Sequence, residues 1–287
     1  MKVAVATDTN SGITSAQITQ PGIYLLPMPV IVDGETYFEG ISITSPQLYE
    51  AMRQHKDISS SQPSPGQLME LWDQILGSGY DEIVYIPMSS GLSGSCDNAL
   101  LLSQEYGGRV HVVDNHRISV TQEESVFYAR RLADQGFSGA RIKALLEEHA
   151  YEASIYITVD SMEYLKKGGR ITPAAAAFAS VLNLKPVLTI QGDRLDTYAK
   201  ARGMGKAEQE MLKALKKDRE QRFGDVPDHC LQVETAGTLE NDQLAQKWRQ
   251  KVQDEFPAMK VSYAHLPCSI ACHVGMNALG IGIIRLF

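Results

Sequence analysis

The stretch "DEIVYIPMSSGLSGSCDNALLLSQEY", residues 81–106, decides how this chain folds. Residues 83–86 are an apolar run of strand length, and 99–102 lie in a run that reads as a helix. Between them stand four serines (Ser89, Ser90, Ser93, Ser95) and two glycines (Gly91, Gly94). A strand that empties through a small-residue loop into a helix is the basic α/β unit. The unpaired N–H groups at such a helix start favour an anion.

Working outward, the first half alternates in the same manner. Residues 3–6 read as a strand ending at Thr7-Asp8, and 24–32 as a second strand. Asp33-Gly34 forms a hairpin-turn pair. In "SSQPSPGQLMELWDQIL", Ser64 is a good N-cap and Pro65 a good first helical residue. Leu68, Leu71, Trp72, Ile75 and Leu76 then fall on one helical face. A strand at 109–114 and helices near 120–135 and 139–149, the latter capped by Ser138, complete the unit. Alternation of this kind implies a mainly parallel sheet covered on both faces.

The second half mixes hairpins with crossover helices. A strand at 154–160 leads to a short helix stopped by Gly168-Gly169. Two strands joined across Gln191-Gly192-Asp193 follow, then a helix at 205–222, a strand at 229–234 and a helix at 239–254. A strand at 260–264, "PCSIACHVGMNALG" and an apolar tail close the chain. The pattern predicts two α/β domains, 1–153 with the serine loops and 154–287 with a mixed sheet and helices, sharing a cleft.

Composition narrows the function. With 287 residues, 44% hydrophobic and 21% charged, the chain can build a full core. A net charge of −7 argues against nucleic acid, which needs a basic face. Four cysteines make no disulfide framework. No apolar stretch approaches the roughly 20 residues of a membrane span, and the N-terminus enters a strand without a signal segment. These readings predict a soluble cytoplasmic protein.

Each candidate site has an ordinary structural explanation beside the functional one. Ser93 can cap a helix or hold an anion. It cannot be a nucleophile of the G-x-S-x-G kind, because Ser95 occupies the last glycine position. The loop is not a Walker loop either. Ser60-Ser61 precede the cap at Ser64 although any polar residue would serve there. Lys166, Lys167 and Arg170 around Gly168-Gly169 suit a helix C-terminus, and Lys200 and Arg202 lie on another loop. Cys268, Cys272 and His265 lack the paired spacings of a zinc site, and small core packing accounts better for the cysteines. His273 reads as a loop residue before the last strand, able to offer a proton to an anion. Asp8 reads as a loop cap after the first strand.

The segments "ATDTNSGI", "SSQPSPG", "IPMSSGLSGS", "DSMEYLKKGGRI", "AKARG" and "CHVGMNALG" occur together and in this order. The set resembles the DegV family of bacterial fatty-acid-binding proteins. The resemblance implies a ligand tunnel between two α/β domains. It places Ser61, where the family usually has threonine, and Ser93 on the carboxylate of a long-chain fatty acid such as palmitate. The Gly94 amide and His273 complete that cradle. Arg170 and Arg202 match basic loops near the carboxylate end and a partner-facing surface. The family further implies a non-catalytic carrier in fatty-acid metabolism, with no cofactor beyond the bound lipid. A fatty-acid kinase would be its partner. The alternative is a serine hydrolase using Ser93 with His273. Cys96 replaces the family's more common tyrosine, and Met276-Asn277 stand where Pro-Gly is expected.

Overall fold

The computed structural model describes residues 1–18, 21–176, 184–190 and 194–287. Four short strands, β1 (Val3–Asp8), β2 (Ile23–Leu26), β6 (Glu82–Ile86) and β7 (Val110–Val112), form an all-parallel sheet in the order β2-β1-β6-β7. α2 (Pro65–Gly77) and α3 (Ser95–Ser103) cover one face with Leu68, Trp72, Ile75 and Ala99. α4 (Val120–Asp134) and α5 (Gly139–Glu148) cover the other with Val126, Ala129, Leu132 and Ile142. Strands covered on both faces read as mostly apolar runs, and all six residues of β1 are buried, with the two polar ones, Thr7 and Asp8, hydrogen-bonded.

The expected strand at 24–32 is two strands in two sheets. β2 ends at Leu26, and β3 (Pro29–Val32) turns away to pair antiparallel with β4 (Glu35–Phe38) and β5 (Ile58–Ser60). The break falls at Pro27-Met28, where the Met28 amide leaves the ladder and donates to Thr9 Oγ1 at 3.0 Å. Asp33 and Gly34 both take positive φ, 51° and 87°, as the tight hairpin turn demands. α1 (Ser45–Arg53), for which no helix was expected, packs Leu48 and Met52 on this small sheet.

The second half forms a six-stranded mixed sheet in the order β10-β9-β8-β13-β11-β12. Its strands are β8 (Ala153–Thr158), β9 (Leu184–Ile190), β10 (Asp196–Arg202), β11 (Leu231–Gly237), β12 (Val261–His265) and β13 (Leu279–Arg285). β9 and β10 pair antiparallel as expected, although the turn that joins them includes positions 191–193, outside the described residues. α8 (Met204–Gln221) and α9 (Asp242–Glu255) bury Met211, Leu215, Trp248 and Val252 on one face. The opposite face carries α6 (Glu163–Gly168), α7 (Pro173–Ala176) and α10 (Cys268–Val274). Cys268 and Cys272 pack with Ala271 against the small three-stranded sheet, which accounts for them as core residues. Burial pushes the Cys268 thiol up to about 12 and raises Cys272 as well, so neither presents a thiolate.

Candidate functional site

One cavity, enclosing about 960 Å³ of empty space with its mouth included, lies between the strand ends of the parallel sheet and one face of the mixed sheet. From the parallel sheet come residues just past β1 (Asn10), β6 (Met88, Leu92, Ser93) and β7 (Ile118, Ser119). From the mixed sheet come Ile155, Ile157, Ile190, Ala236 and Gly280 within the strands themselves. α6 and α10 close it with Leu165, Ile270, His273 and Val274.

Ser60, Ser61, Gln62, Ser93, Arg170 and His273 gather on one part of this lining, and Asn10, Ser119, Glu234 and Ser269 are its other polar side chains. Ser61 is exposed, and its Oγ donates to the Gln62 carbonyl at 3.2 Å. Ser93 Oγ accepts from the Ser95 amide at 3.2 Å, so it serves as a cap and also lines the cavity. Gly94 is the exposed N-cap of α3 and is not among the lining residues. Arg170 directs its guanidinium to the carbonyls of Leu92 (3.3 Å) and Gly168, tying the loop after α6 to the serine loop. Arg202 sits apart from the cavity, exposed on the edge strand β10.

His273 is not in a loop. It occupies the last turn of α10, which ends one residue later at Val274 and is capped by Gly275, where φ is +72°. "PCSIACHV" is too short for its periodicity to show, and the glycine that terminates the helix looks like loop chemistry in sequence. The start of α10 is held by Glu39, which accepts from the Cys268 amide and from Ser269 Oγ at 3.0 Å. Thr9 Oγ1 donates to the same carboxylate at 2.8 Å. Three distant segments thereby fix the helix that carries the histidine.

Within the site, Nε2 of His273 lies 2.8 Å from Ser60 Oγ. The register Val30↔Ser60 in the small sheet places that serine. Nδ1 has no hydrogen-bond partner and faces Gly168, where a Cβ would stand 2.3 Å from it. Burial, reinforced by the Arg170 charge, lowers the His273 pKa to about 4, so the ring is neutral near pH 7. Ser60, not Ser93, is thus the partner of the histidine. The Ser93–His273 pair on which a hydrolase reading depends is not formed, and no carboxylate orients Nδ1. Ser60 was legible only as a polar residue that the following helix cap does not require.

Asp8 behaves as the cap expected of it. Its carboxylate accepts from the amides of Asn10 and Met88, both at 3.0 Å, and from Gln122 Nε2 at 3.2 Å. Burial raises its pKa against these bonds. Among the described residues, no group of three or more His, Cys, Asp or Glu could hold a metal ion. Nor is any helix among them long and apolar enough to cross a membrane.

A parallel sheet and a mixed sheet closing on one largely apolar cavity with a cluster of hydroxyls, a neutral histidine and an arginine define an α/β protein built around an internal pocket. A family model described as "Uncharacterised protein, DegV family" matches residues 2–286, and the chain belongs to that family. It is 36% identical over 208 residues to a DegV domain-containing protein of Deinococcus radiodurans, covering 72% of this chain and 74% of that one. The solved structure of a DegV family protein from Thermus thermophilus, described as fatty acid binding, is 28% identical with a TM-score of 0.88 over 100% of both chains. DegV of Bacillus subtilis, described as a fatty acid binding protein, is 27% identical with a TM-score of 0.86 over 99% of both.

Proposed function

We propose that this protein binds a long-chain fatty acid, with its carboxylate at Ser61 and Ser93 and its acyl chain in the apolar part of the cavity. The observation that carries this reading is the gathering of Ser60, Ser61, Ser93, Arg170 and His273 on one part of a lining that is otherwise mostly aliphatic, with Asn10, Ser119, Glu234 and Ser269 as its other polar side chains besides Gln62. A carboxylate leaving water needs donors in exchange. The two serine hydroxyls and the His273–Ser60 pair supply them, with the Gly94 amide at the exposed start of α3 next to Ser93. The roughly 14 methylenes of palmitate contribute about 11 kcal/mol gross at ~0.8 kcal/mol each. Association and ordering cost about 4 to 15 kcal/mol. The chain therefore supplies most of the affinity, and the serines set the orientation.

On this reading the protein is a non-catalytic, cytoplasmic carrier. Residues 1–153 supply the head-group loops and 154–287 close the tunnel. Arg170 and Arg202 lie toward a fatty-acid kinase that receives the bound acid. Support for the carrier role is the neutral, unoriented histidine, a poor partner for nucleophilic chemistry. Organic-solvent extraction of freshly purified protein followed by mass spectrometry tests the reading. The expected result is a stoichiometric C14 to C18 acid. An empty extract, with no uptake of added palmitate or oleate, would overturn it. Purified protein incubated with ATP and oleate should give no acyl phosphate; its formation would overturn the carrier role alone.

A further inference from the structure

The cavity floor holds one acidic group that binding a carboxylate leaves without a task. Side chains of β11 alternate, so that Leu231 and Val233 join the core under α8 and α9 while Glu234 and Ala236 face the cavity. The strand registers set Ile190, Ile155, Gly282, Glu234 and Ser262 in one row across the sheet. The adjacent row, with Gly280 and Ala236, lies nearer the start of α10, because Leu266 donates to the Gly237 carbonyl at 2.9 Å. The row of Glu234 lies toward the start of α4, where Val120 Cγ2 is 3.9 Å from the place a Gly282 Cβ would take. Glu234 thus stands two residues further from α10 than the floor at Ala236, on the side away from His273.

Glu234 is only 8% exposed. Burial raises its carboxyl above the ordinary range, against hydrogen bonds with Gln232 and Ser262. Glu123, in the first turn of α4, is pushed up to about 7 by its own burial and by the neighbouring Glu234 charge. Gly282, its strand neighbour, has no side chain to cover it. A carboxyl oxygen accepts a hydrogen bond from an alcohol whether or not the group carries its own proton. A bare methylene chain makes no use of that acceptor, whereas an alcohol does.

Granting the fatty-acid reading above, we propose that Glu234 is a specificity residue for the distal part of the chain. The cavity takes a long-chain acid bearing a hydroxyl on its distal half in preference to the same acid with a plain chain. The test is a competition assay on delipidated protein with palmitate and a series of hydroxypalmitates whose hydroxyl is walked from the α to the ω carbon. One distal position should bind about tenfold tighter than palmitate, as one added hydrogen bond gives (about 1.4 kcal/mol). The α-hydroxy acid should gain nothing. Glu234→Leu should abolish the distal preference while holding palmitate, and Glu234→Gln, whose amide also donates and accepts, should retain part of it. Equal or weaker binding of every distal hydroxy acid by the wild-type protein would overturn the proposal without need of a variant. So would an unchanged preference in Glu234→Leu. Palmitate binding with no hydroxyl preference refutes this inference alone, whereas failure of every acid to bind refutes the fatty-acid reading and this inference with it.

Discussion

The two large sheets meet the cavity in different ways. The parallel sheet points at it, contributing residues that follow the ends of β1, β6 and β7. The mixed sheet lies along it, contributing side chains from within β8, β9, β11 and β13. Strand ends that lead into helices deliver unpaired amides, caps and hydroxyls. A sheet face delivers every second side chain, which here means Ile155, Ile157, Ala236, Gly280 and Gly282, with Glu234, an acid, among them. The mostly apolar floor is therefore a consequence of how the mixed sheet is presented, whereas the polar part is assembled from Ser93 past β6, Ser60–Gln62 at the end of β5, Arg170 after α6 and His273 on α10.

The contrast can be broken most severely where the end of α6 meets α10, at Gly168 and His273. Gly168→Val would put a side chain onto the His273 ring, since even a Cβ stands 2.3 Å from Nδ1. We expect loss of the Ser60–His273 contact, loss of palmitate binding by calorimetry, and about 1–3 kcal/mol lower stability. Unchanged melting and binding would show that the ring is not held there.

The next largest effect is on acid stability. A histidine whose pKa is about 4 folded and 6.5 unfolded takes up its proton more readily when unfolded. Stability should hold above about pH 6.5, fall as the pH drops toward 4 and level off below. His273→Gln should flatten this limb by about 3 kcal/mol in urea titrations. Glu123 acts in the opposite sense. Its carboxyl, pushed up to about 7 from an ordinary 4.5, removes stability as the pH rises through that interval, so Glu123→Gln should steepen the histidine limb. A flat profile in Glu123→Gln would count against the burial of His273.

Chain-length series separate the two regions. Ser93→Ala should weaken palmitate by about 1.5–3 kcal/mol, the range for hydrogen bonds to charged groups, and by the same amount for shorter acids. Gly280→Val should leave short acids alone and penalise long ones by ~0.8 kcal/mol for each methylene displaced. The nearest atom to a Cβ at Gly280 is 3.6 Å away, so the floor accepts the first carbon without strain. A length-dependent loss in Ser93→Ala would reverse the assignment of head and floor.

The smallest effect lies outside the cavity. Ser64 Oγ accepts from the Gln67 amide at 3.3 Å, and the Ser64 amide donates to Gln67 Oε1 at 3.0 Å. Ser64→Ala should cost about 1 kcal/mol in thermal unfolding and leave ligand affinity unchanged, although it stands three residues from Ser61.

Much of the scaffold was legible locally. The cap at Ser64, the turn at Asp33-Gly34, the stop at Gly169 and the alternation of strand and helix each depend on residues within a few positions of one another. The errors share a cause. The strand 24–32 looked continuous because apolar content does not report that Thr9 intercepts the Met28 amide. α1 escaped notice, although Gln47 Oε1 accepts from the Thr44 amide and hydroxyl, both at 2.9 Å, across its first turn. His273 looked like a loop residue because α10 is two turns long and depends on Glu39, 229 positions from Cys268.

What the sequence determined by itself is what nearest neighbours along the chain decide: the α/β class, the helix starts and turns, and the small polar loops at Ser61 and Ser93. What only the tertiary structure decided is which of those groups share a space. Ser60 and His273 are 213 positions apart, and Gly168 closes on that pair. The placement of Glu234 beside Gly282 follows from strand order and register. Backbone propensity is a local quantity, whereas burial, hydrogen-bond partnership and the protonation of a buried group depend on packing between segments that no spacing rule connects.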